Sequence, residues 1–255
     1  MRINLFGIPI DNYSMSQAVE RVSSAIQSRD QLHVGVVNAA KVVNMHRNPE
    51  LAQDVLSSDM VLADGASVVW ASKLLGSPLT ERVAGIDLML EILEKGNLLG
   101  WRVYFLGATE EISEKVERFV KENYPHVVIA GRRNGYFTAE EEESIADSIG
   151  ESKADVLFVA ITSPKKEKFM ADWAKIMNVP VVHGVGGSFD VVAGKVKRAP
   201  VLWQKLGLEW MYRLLQEPGR LWRRYLVTNS LFCWYLLIAI VKRLLPTSSA
   251  QSKES

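Results

Sequence analysis

The 255-residue sequence contains a single cysteine and almost no charge surplus. Cys233 alone cannot form an intrachain disulfide or a multi-cysteine zinc site, so both kinds of fold are excluded. Thirty Lys and Arg residues against 29 Asp and Glu residues leave a net charge of +1, too small to favour a general nucleic-acid binder. The N-terminal stretch lacks the long apolar core of a signal peptide, so we expect the bulk of the chain to stay in the cytoplasm.

Patterns that hold metal ions or dinucleotides are also missing from the sequence. The four histidines show no metal-ligand spacing, and no Asp-X-Asp pattern of the kind that often holds a divalent ion occurs. The glycine-rich run GVGGSFD (184–190) is neither a P-loop nor a Gly-X-Gly-X-X-Gly fingerprint. We therefore expect no metal site and no cofactor, and an NAD-dependent oxidoreductase has little support.

The residues that are present form alternating strand and helix patterns up to about residue 195. Unbroken apolar runs rich in Val are typical of strands covered on both faces, and helix patterns between them predict βαβ units. We predict an α/β domain over residues 1–195 with a Rossmann-like, mainly parallel sheet. The predicted strands are Leu32–Val37, Met60–Ala63, Val103–Leu106, Val127–Ala130, Val156–Ala160 and Val179–Val182. The predicted helices include Met15–Ser28, Pro49–Ser57, Gly65–Lys73, Gly85–Gly96, Glu110–Tyr124, Ala139–Gly150 and Pro164–Met177.

Residues 196–255 are basic and rich in Trp, and we predict that they form a helical appendage that associates with a membrane. Pro218 is expected to begin a helix. Residues 225–241 carry no charge, which favours a helix lying in the membrane interface, with a buried core helix and a short membrane span as alternatives. The last residues, PTSSAQSKES, are expected to be disordered. Exposed apolar surface on the appendage could drive formation of a homo-oligomer.

Small and polar residues follow nearly every predicted strand, at the edge where open α/β sheets bind ligands. Asp64, directly after a predicted strand, could act as a general base or could cap a helix or turn. The glycines within 184–187 would let backbone N–H groups approach an anion such as a phosphate. Arg220, Arg223 and Arg224 share one helix face, which suits a diphosphate or, equally, a solvated or lipid-facing surface.

Several longer stretches resemble the WecG/TagA/CpsF glycosyltransferases, which form glycosyltransferase family 26. The resemblance covers roughly residues 5–227 and rests on several long motifs that occur in the same order along the chain. The strongest are ADGASVVW (63–70), ERVAGIDLM (81–89), GVGGSFDVVAGKVKRAP (184–200) and GLEWMYRLLQEPGRLWRRY (207–225), supported by NGYF (134–137) and SPKKE (163–167).

The resemblance implies a peripheral enzyme at the cytoplasmic face of a bacterial membrane. Such enzymes transfer a sugar from a UDP-sugar donor to a polyprenyl-diphosphate-linked saccharide, without a metal and with inversion to a β-linkage. Their products feed teichoic acid, common antigen, capsule or exopolysaccharide. By motif, Asp64 would be the catalytic base. The residues that would bind substrate are Asn38, Arg82, Lys166, Gly186, Gly187, Asp190, Arg213, Arg220 and Arg223.

Two positions depart from the family pattern and leave the donor sugar open. Val36 stands where a Thr is common, and Lys166 stands where a Gln is common in a Pro-Lys-Gln-Glu run. Lys166 could favour an acidic sugar or a phosphate, so N-acetylmannosamine, its uronic acid and a glucose-type sugar are all candidates. The alternative to an enzyme is a non-catalytic membrane adaptor, which would bind lipid through the basic tail without affinity for UDP.

Overall fold

The computed structural model describes residues 1–245, and these contain eight strands and thirteen helices. The strands are β1 (Arg2–Leu5), β2 (Ile8–Asp11), β3 (Leu32–Val37), β4 (Met60–Ala63), β5 (Arg102–Gly107), β6 (Val128–Arg133), β7 (Val156–Ala160) and β8 (Val181–Gly184). The helices are α1 (Met15–Ser28), α2 (Ala39–Arg47), α3 (Pro49–Leu56), α4 (Ala66–Leu74), α5 (Gly85–Leu99), α6 (Glu110–Asn123), α7 (Glu142–Glu151), α8 (Lys165–Asp172), α9 (Ala174–Met177), α10 (Ser188–Val192), α11 (Val201–Lys205), α12 (Glu209–Gln216) and α13 (Pro218–Leu244). The stretch PTSSAQSKES, predicted to be disordered, lies outside the described residues.

Six parallel strands form the main sheet, in the order β4-β3-β8-β7-β5-β6. Every residue of β4, β7 and β8 is buried, because other elements cover both faces of the sheet. The predicted α/β class and parallel sheet are therefore confirmed. Since all six strands run the same way, the polar residues that follow them meet at one edge of the sheet.

Most predicted bounds agree with the structure where a short apolar run has clear limits. β3, β4, β7 and α1 begin and end as predicted. β8 begins two residues later than predicted because Pro180 has no N–H to donate, and its carbonyl accepts from the Leu32 N–H at 2.7 Å. The single helix predicted over Pro164–Met177 is instead two helices, α8 and α9, which separate at Trp173.

Two apolar layers cover the sheet, and one of them contains elements that are absent from the predicted set. α1, α5 and α6 pack on one face. The opposite face is covered by the β1–β2 hairpin, α2 and α3 on the β3–β4 side and by α7, α8 and α9 further along. Neither the hairpin nor α2 was predicted. α2 begins after Asn38, whose Oδ1 accepts from the Lys41 N–H at 3.0 Å and so caps the helix.

α11, α12 and α13 form the described part of the appendage, and α13 docks on the α/β body over α2. The ring of Tyr235 lies 4.9 Å from that of His46 on α2, measured between centroids. The ring of Phe232 lies 5.3 Å from that of Phe6, edge to face. These contacts place the middle of α13 in the same apolar cluster as α2 and the hairpin.

α13 begins at Pro218, as predicted, and is long and apolar enough to cross a membrane. Its 27 residues contain an 18-residue window with a mean hydropathy of 1.5, of which 17% is buried. The buried residues of the helix are Leu221, Thr228 and Phe232. Only a small part of α13 is therefore buried as a core helix would be. A position in the membrane interface stays a prediction.

Candidate active site

Asp64 lies at the carboxyl end of β4, and both of its carboxylate oxygens accept hydrogen bonds. Oδ1 accepts from the Gly85 N–H at 3.0 Å, and Oδ2 accepts from the side-chain amide of Asn38 at 3.3 Å. Gly85 is the first residue of α5, so the carboxylate lies at a helix N-terminus, where negative charge is favoured. Asp64 is half-buried, so it is held in one orientation and is still open to a ligand.

A buried histidine holds the other side of the Gly85 peptide. His183 is fully buried on β8, and its Nε2–H donates to the Gly85 carbonyl at 3.0 Å. Burial lowers the pKa of His183 to about 4, so the ring is neutral at pH 7. His183 therefore fixes the backbone that orients Asp64, a role that its position in the sequence does not indicate.

The glycine loop, residues 184–187, begins at the last residue of β8 and faces the appendage. Gly186 has a φ of +52°, in the left-handed region that favours glycine. A Cβ placed on Gly187 would lie 3.6 Å from Nη1 of Arg213, so the guanidinium group of α12 faces the loop. The structure thus brings together the glycine loop and Arg213, both predicted to bind phosphate. Backbone N–H groups beside a guanidinium group suit an anion such as a diphosphate.

Arg82 lies in the loop before α5, where it forms ion pairs that reach the appendage. Its guanidinium group pairs with Glu209, the first residue of α12, and with Asp87 at 3.4 Å. Arg198 pairs with the other oxygen of Asp87 and lies 4.0 Å from Glu209. These four side chains join the α/β body to α12. Because Glu209 lies one turn before Arg213, the same ion pairs orient the helix that carries Arg213.

Lys166 belongs to a buried cluster with Lys41 and Glu167. Oε1 of Glu167 accepts from Lys41 Nζ at 2.6 Å and lies 3.1 Å from Lys166 Nζ. The three side chains are only 8–12% exposed. Lys41 also donates to Ser163 Oγ at 2.9 Å, and Lys166 donates to the Gly184 carbonyl at 3.4 Å. The cluster therefore connects α2 with the strand that leads into the glycine loop.

This cluster has two ammonium groups for one carboxylate, and the pKa values follow from that imbalance. Burial raises the pKa of Glu167, but the charges of Lys166 and Lys41 outweigh burial and hold it at about 2. Burial and the charge of Lys166 lower the pKa of Lys41, and Glu167 offsets only part of that effect. The carboxylate is therefore ionised at neutral pH, and surplus positive charge remains beside the glycine loop.

Comparison with known proteins identifies the family of this chain. The model of the WecG/TagA/CpsF glycosyl transferase family matches residues 3–245. The chain belongs to this family. A relative from Bacillus spizizenii, named N-acetylglucosaminyldiphosphoundecaprenol N-acetyl-beta-D-mannosaminyltransferase, is 43% identical over 181 residues, which cover 71% of this chain and 69% of the relative. The match extends through α13, beyond the limit near residue 227 that the sequence motifs indicate.

The remaining predicted substrate-binding residues of this glycosyltransferase lie on α10 and α13. Asp190 lies on α10, just after the glycine loop, with its Oδ1 3.2 Å from Lys195 Nζ. Arg220 is exposed and pairs with Glu217, and Arg223 is exposed with its guanidinium carbon 5.2 Å from the centre of the Trp222 ring. The structure therefore brings Arg213 to the loop, whereas contact of Arg220 and Arg223 with a diphosphate stays a prediction.

The sequence patterns do not indicate Lys41 or Glu167 as site residues of the glycosyltransferase. A signal for Lys41 exists, because Asn38 is a favoured helix-capping residue and its side chain accepts from the N–H three residues later, which is that of Lys41. Glu167 lies 126 residues from Lys41 and meets it only through the strand order of the sheet. Its place in the SPKKE motif was visible, but its ion-pair partner was not.

Proposed function

We propose that this glycosyltransferase transfers a sugar from a UDP-sugar to a polyprenyl-diphosphate-linked saccharide, with Asp64 as the catalytic base. The observation that carries the proposal is an open, oriented carboxylate at the same sheet edge as a glycine loop faced by Arg213. The relative's name supports N-acetylmannosamine as the first donor to test. The surplus charge of Lys41 and Lys166 supports its uronic acid, and a glucose-type sugar is the third candidate.

The reaction we infer is a single displacement at the anomeric carbon. Asp64 takes the proton of an acceptor hydroxyl while that oxygen forms a bond to the anomeric carbon. The bond from the anomeric carbon to the diphosphate oxygen breaks on the opposite face, and its electron pair leaves with UDP. One displacement inverts the configuration, so an α-linked donor gives a β-linked product. Asn38 and the Gly85 N–H orient the base during this step.

The departing diphosphate needs positive charge as its own negative charge develops. We assign this task to Arg213 and the backbone N–H group of Gly187, with Arg220 and Arg223 supplied by α13 once the substrate is bound. The Gly186 N–H already donates to the Val159 carbonyl at 3.3 Å, so the part of Gly186 is to give the loop its left-handed turn. Preorganised donors of this kind are typically worth a few kcal/mol each in the transition state. The proposed reaction therefore uses protein donors in place of a metal ion.

We further propose that the appendage holds the enzyme peripherally at the cytoplasmic face of the membrane, where a polyprenyl-linked acceptor resides. Exposed apolar side chains run along α11, α12 and α13, and exposed arginines and lysines lie among them. Such a surface suits an interface with anionic headgroups above and acyl chains below. The large exposed apolar residues are Val201, Leu202, Leu206, Trp210, Leu215, Trp222, Leu226, Val227, Trp234, Leu237, Val241 and Leu244.

The test is UDP release in EDTA with liposomes that contain a prenyl-diphosphate-linked N-acetylglucosamine. UDP-N-acetylmannosamine, its uronic acid and UDP-glucose are each supplied as donor. Asp64→Asn is compared with Asp147→Asn, since Asp147 is an exposed acid on α7 away from the sheet edge that carries Asp64. We expect acceptor-dependent release by the wild type and by Asp147→Asn alone.

Two other results would contradict parts of this proposal. UDP binding without release by any donor would reject the acceptor proposed here and leave the nucleotide site standing. Liposome binding with neither UDP affinity nor release would favour the membrane adaptor.

A further inference from the structure

An open groove lies between the C-terminal part of α2 and the start of α8, outside the site that holds Asp64. It encloses about 220 Å³, and none of its lining side chains is acidic. Its walls combine amides, a hydroxyl, a guanidinium group and two apolar side chains. The lining residues are Asn44, Arg47, Asn48, Leu51, Ser163 and Pro164.

The groove is connected to the catalytic carboxylate through α2. Asn38, which hydrogen-bonds Asp64, precedes the first residue of this helix, and Arg47 is its last residue. At a rise of 1.5 Å per residue, the two are about 13 Å apart along the helix axis. Ser163, on the facing wall, accepts from Lys41 Nζ at 2.9 Å.

Arg47 gives the groove a free positive charge. Its side chain is exposed, and within residues 1–245 it takes part in no ion pair. A guanidinium group offers five N–H donors in a planar fork that matches phosphate oxygens. A purely structural alternative is that Arg47 stabilises the C-terminal end of α2 through the helix dipole. The two alternatives make different predictions for an acceptor with and without a diphosphate.

The C-terminal part of α2, which carries Arg47, also contacts the appendage. His46, next to Arg47 in the chain, packs its ring on Tyr235 of α13. Trp234 and Leu237, close by on the same helix, are exposed by 56% and 51%. The groove therefore lies on the helix that contacts α13, which is the helix proposed to lie in the membrane.

We propose that this groove binds the diphosphate of the lipid-linked acceptor, with Arg47 as its principal ligand. The inference rests on the proposed function and names the acceptor side of the same reaction. The acceptor sugar then points along α2 toward Asp64, and the polyprenyl chain passes out beside α13. The donor diphosphate at the glycine loop and the acceptor diphosphate at Arg47 occupy separate places.

The experiment compares two acceptors, farnesyl-diphosphate-linked N-acetylglucosamine and a farnesyl glycoside of the same sugar without the diphosphate. Arg47→Gln should lower kcat/KM for the diphosphate acceptor by about 10- to 100-fold, the range for a lost charge-assisted hydrogen bond. It should leave the glycoside acceptor, the KM for the UDP-sugar and the affinity for UDP unchanged. Arg47→Lys should recover part of the loss. Arg21→Gln is the matched control, since Arg21 is exposed on α1 across the sheet.

Equal losses on both acceptors, or no loss on either, would overturn the assignment and leave Arg47 a structural role. A fall in UDP affinity would instead place Arg47 with the donor and would also overturn it. Binding of the diphosphate acceptor by equilibrium dialysis provides a second arm that needs no turnover. If the wild type transfers no sugar but binds this probe 10- to 100-fold more tightly than Arg47→Gln, the groove stands and the proposed reaction fails. Equal affinities, or no binding, reject the groove.

Discussion

Replacing Glu167 with Gln should destabilise the fold strongly, because it removes the carboxylate that lies between two buried ammonium groups. The charges of Lys166 and Lys41 hold the pKa of Glu167 at about 2 against an ordinary value of 4.5. That difference corresponds to about 3 kcal/mol of favourable free energy at neutral pH. Solvent screening reduces it little, since only 8% of the Glu167 side chain is exposed.

The variant also leaves Lys41 and Lys166 buried together without a counter-charge. In the wild type, burial and the charge of Lys166 already lower the pKa of Lys41. Once the carboxylate is gone, nothing offsets the repulsion between the two ammonium groups. Removing one partner of a buried ion pair typically costs about 3–5 kcal/mol. We expect the free energy of unfolding of Glu167→Gln to be lower than that of the wild type by about 3–5 kcal/mol. Adding Lys166→Gln to Glu167→Gln should recover part of it, because one of the two cations is then neutral.

The assay is urea unfolding at pH 7, followed by circular dichroism in detergent. Glu111→Gln, in the exposed Glu111–Lys115 pair, is the control and should unfold at the wild-type urea concentration. The stability supplied by Glu167 is fully present above pH 4.5 and is lost as the pH falls toward 2, so the gap between wild type and Glu167→Gln should close over that interval. The reasoning is refuted if Glu167→Gln loses less than about 1 kcal/mol, or if the double variant is no more stable than Glu167→Gln.

Three further predictions concern the site and the appendage. Asp64→Asn should lower kcat by about 10²- to 10⁴-fold while UDP binding persists, and an equal loss of UDP affinity in calorimetry would count against a base role. Arg213→Gln should weaken UDP binding by about 10-fold or more, whereas unchanged affinity would remove Arg213 from the diphosphate site. Joint substitution of Trp234 and Leu237 by Glu should reduce sedimentation with anionic liposomes and leave UDP affinity intact; full sedimentation would place the membrane contact elsewhere.

The fold was predictable wherever the sequence pattern itself records burial on both faces. β3, β4 and β7 are unbroken apolar runs between polar residues, so their bounds follow from composition alone. The β1–β2 hairpin gives no such signal, because each strand has four residues and its polar ends are satisfied by distant partners. Asp11, for example, accepts from the Val61 N–H, 50 residues away.

Part of the candidate site was likewise predictable from the sequence, and part of it depends on the order of strands in the sheet. Asp64, Asn38 and the glycine loop follow strands directly, and position after a strand is visible in the sequence. The Lys41–Glu167 pair depends on β8 lying between β3 and β7, an order that no local pattern encodes. α2, which carries Lys41, ends two residues before Pro49, but it begins after Asn38, a residue that already had a proposed role as a ligand and was therefore not taken as a helix cap.

Arg82 shows how the α/β body and the appendage depend on each other. The family motif assigns Arg82 to the substrate pocket, and the structure pairs it with Glu209 at the start of α12. Glu209 and Arg213 lie one turn apart on that helix, so Arg82 sets the position from which Arg213 faces Gly187. In the proposed reaction Arg213 binds the donor diphosphate, so the proposed nucleotide site is complete only when α12 is held to the body by these ion pairs. Because α13 continues the same appendage into the exposed apolar surface, we expect one arrangement of helices to determine docking, the proposed membrane contact and the proposed binding of the diphosphate together.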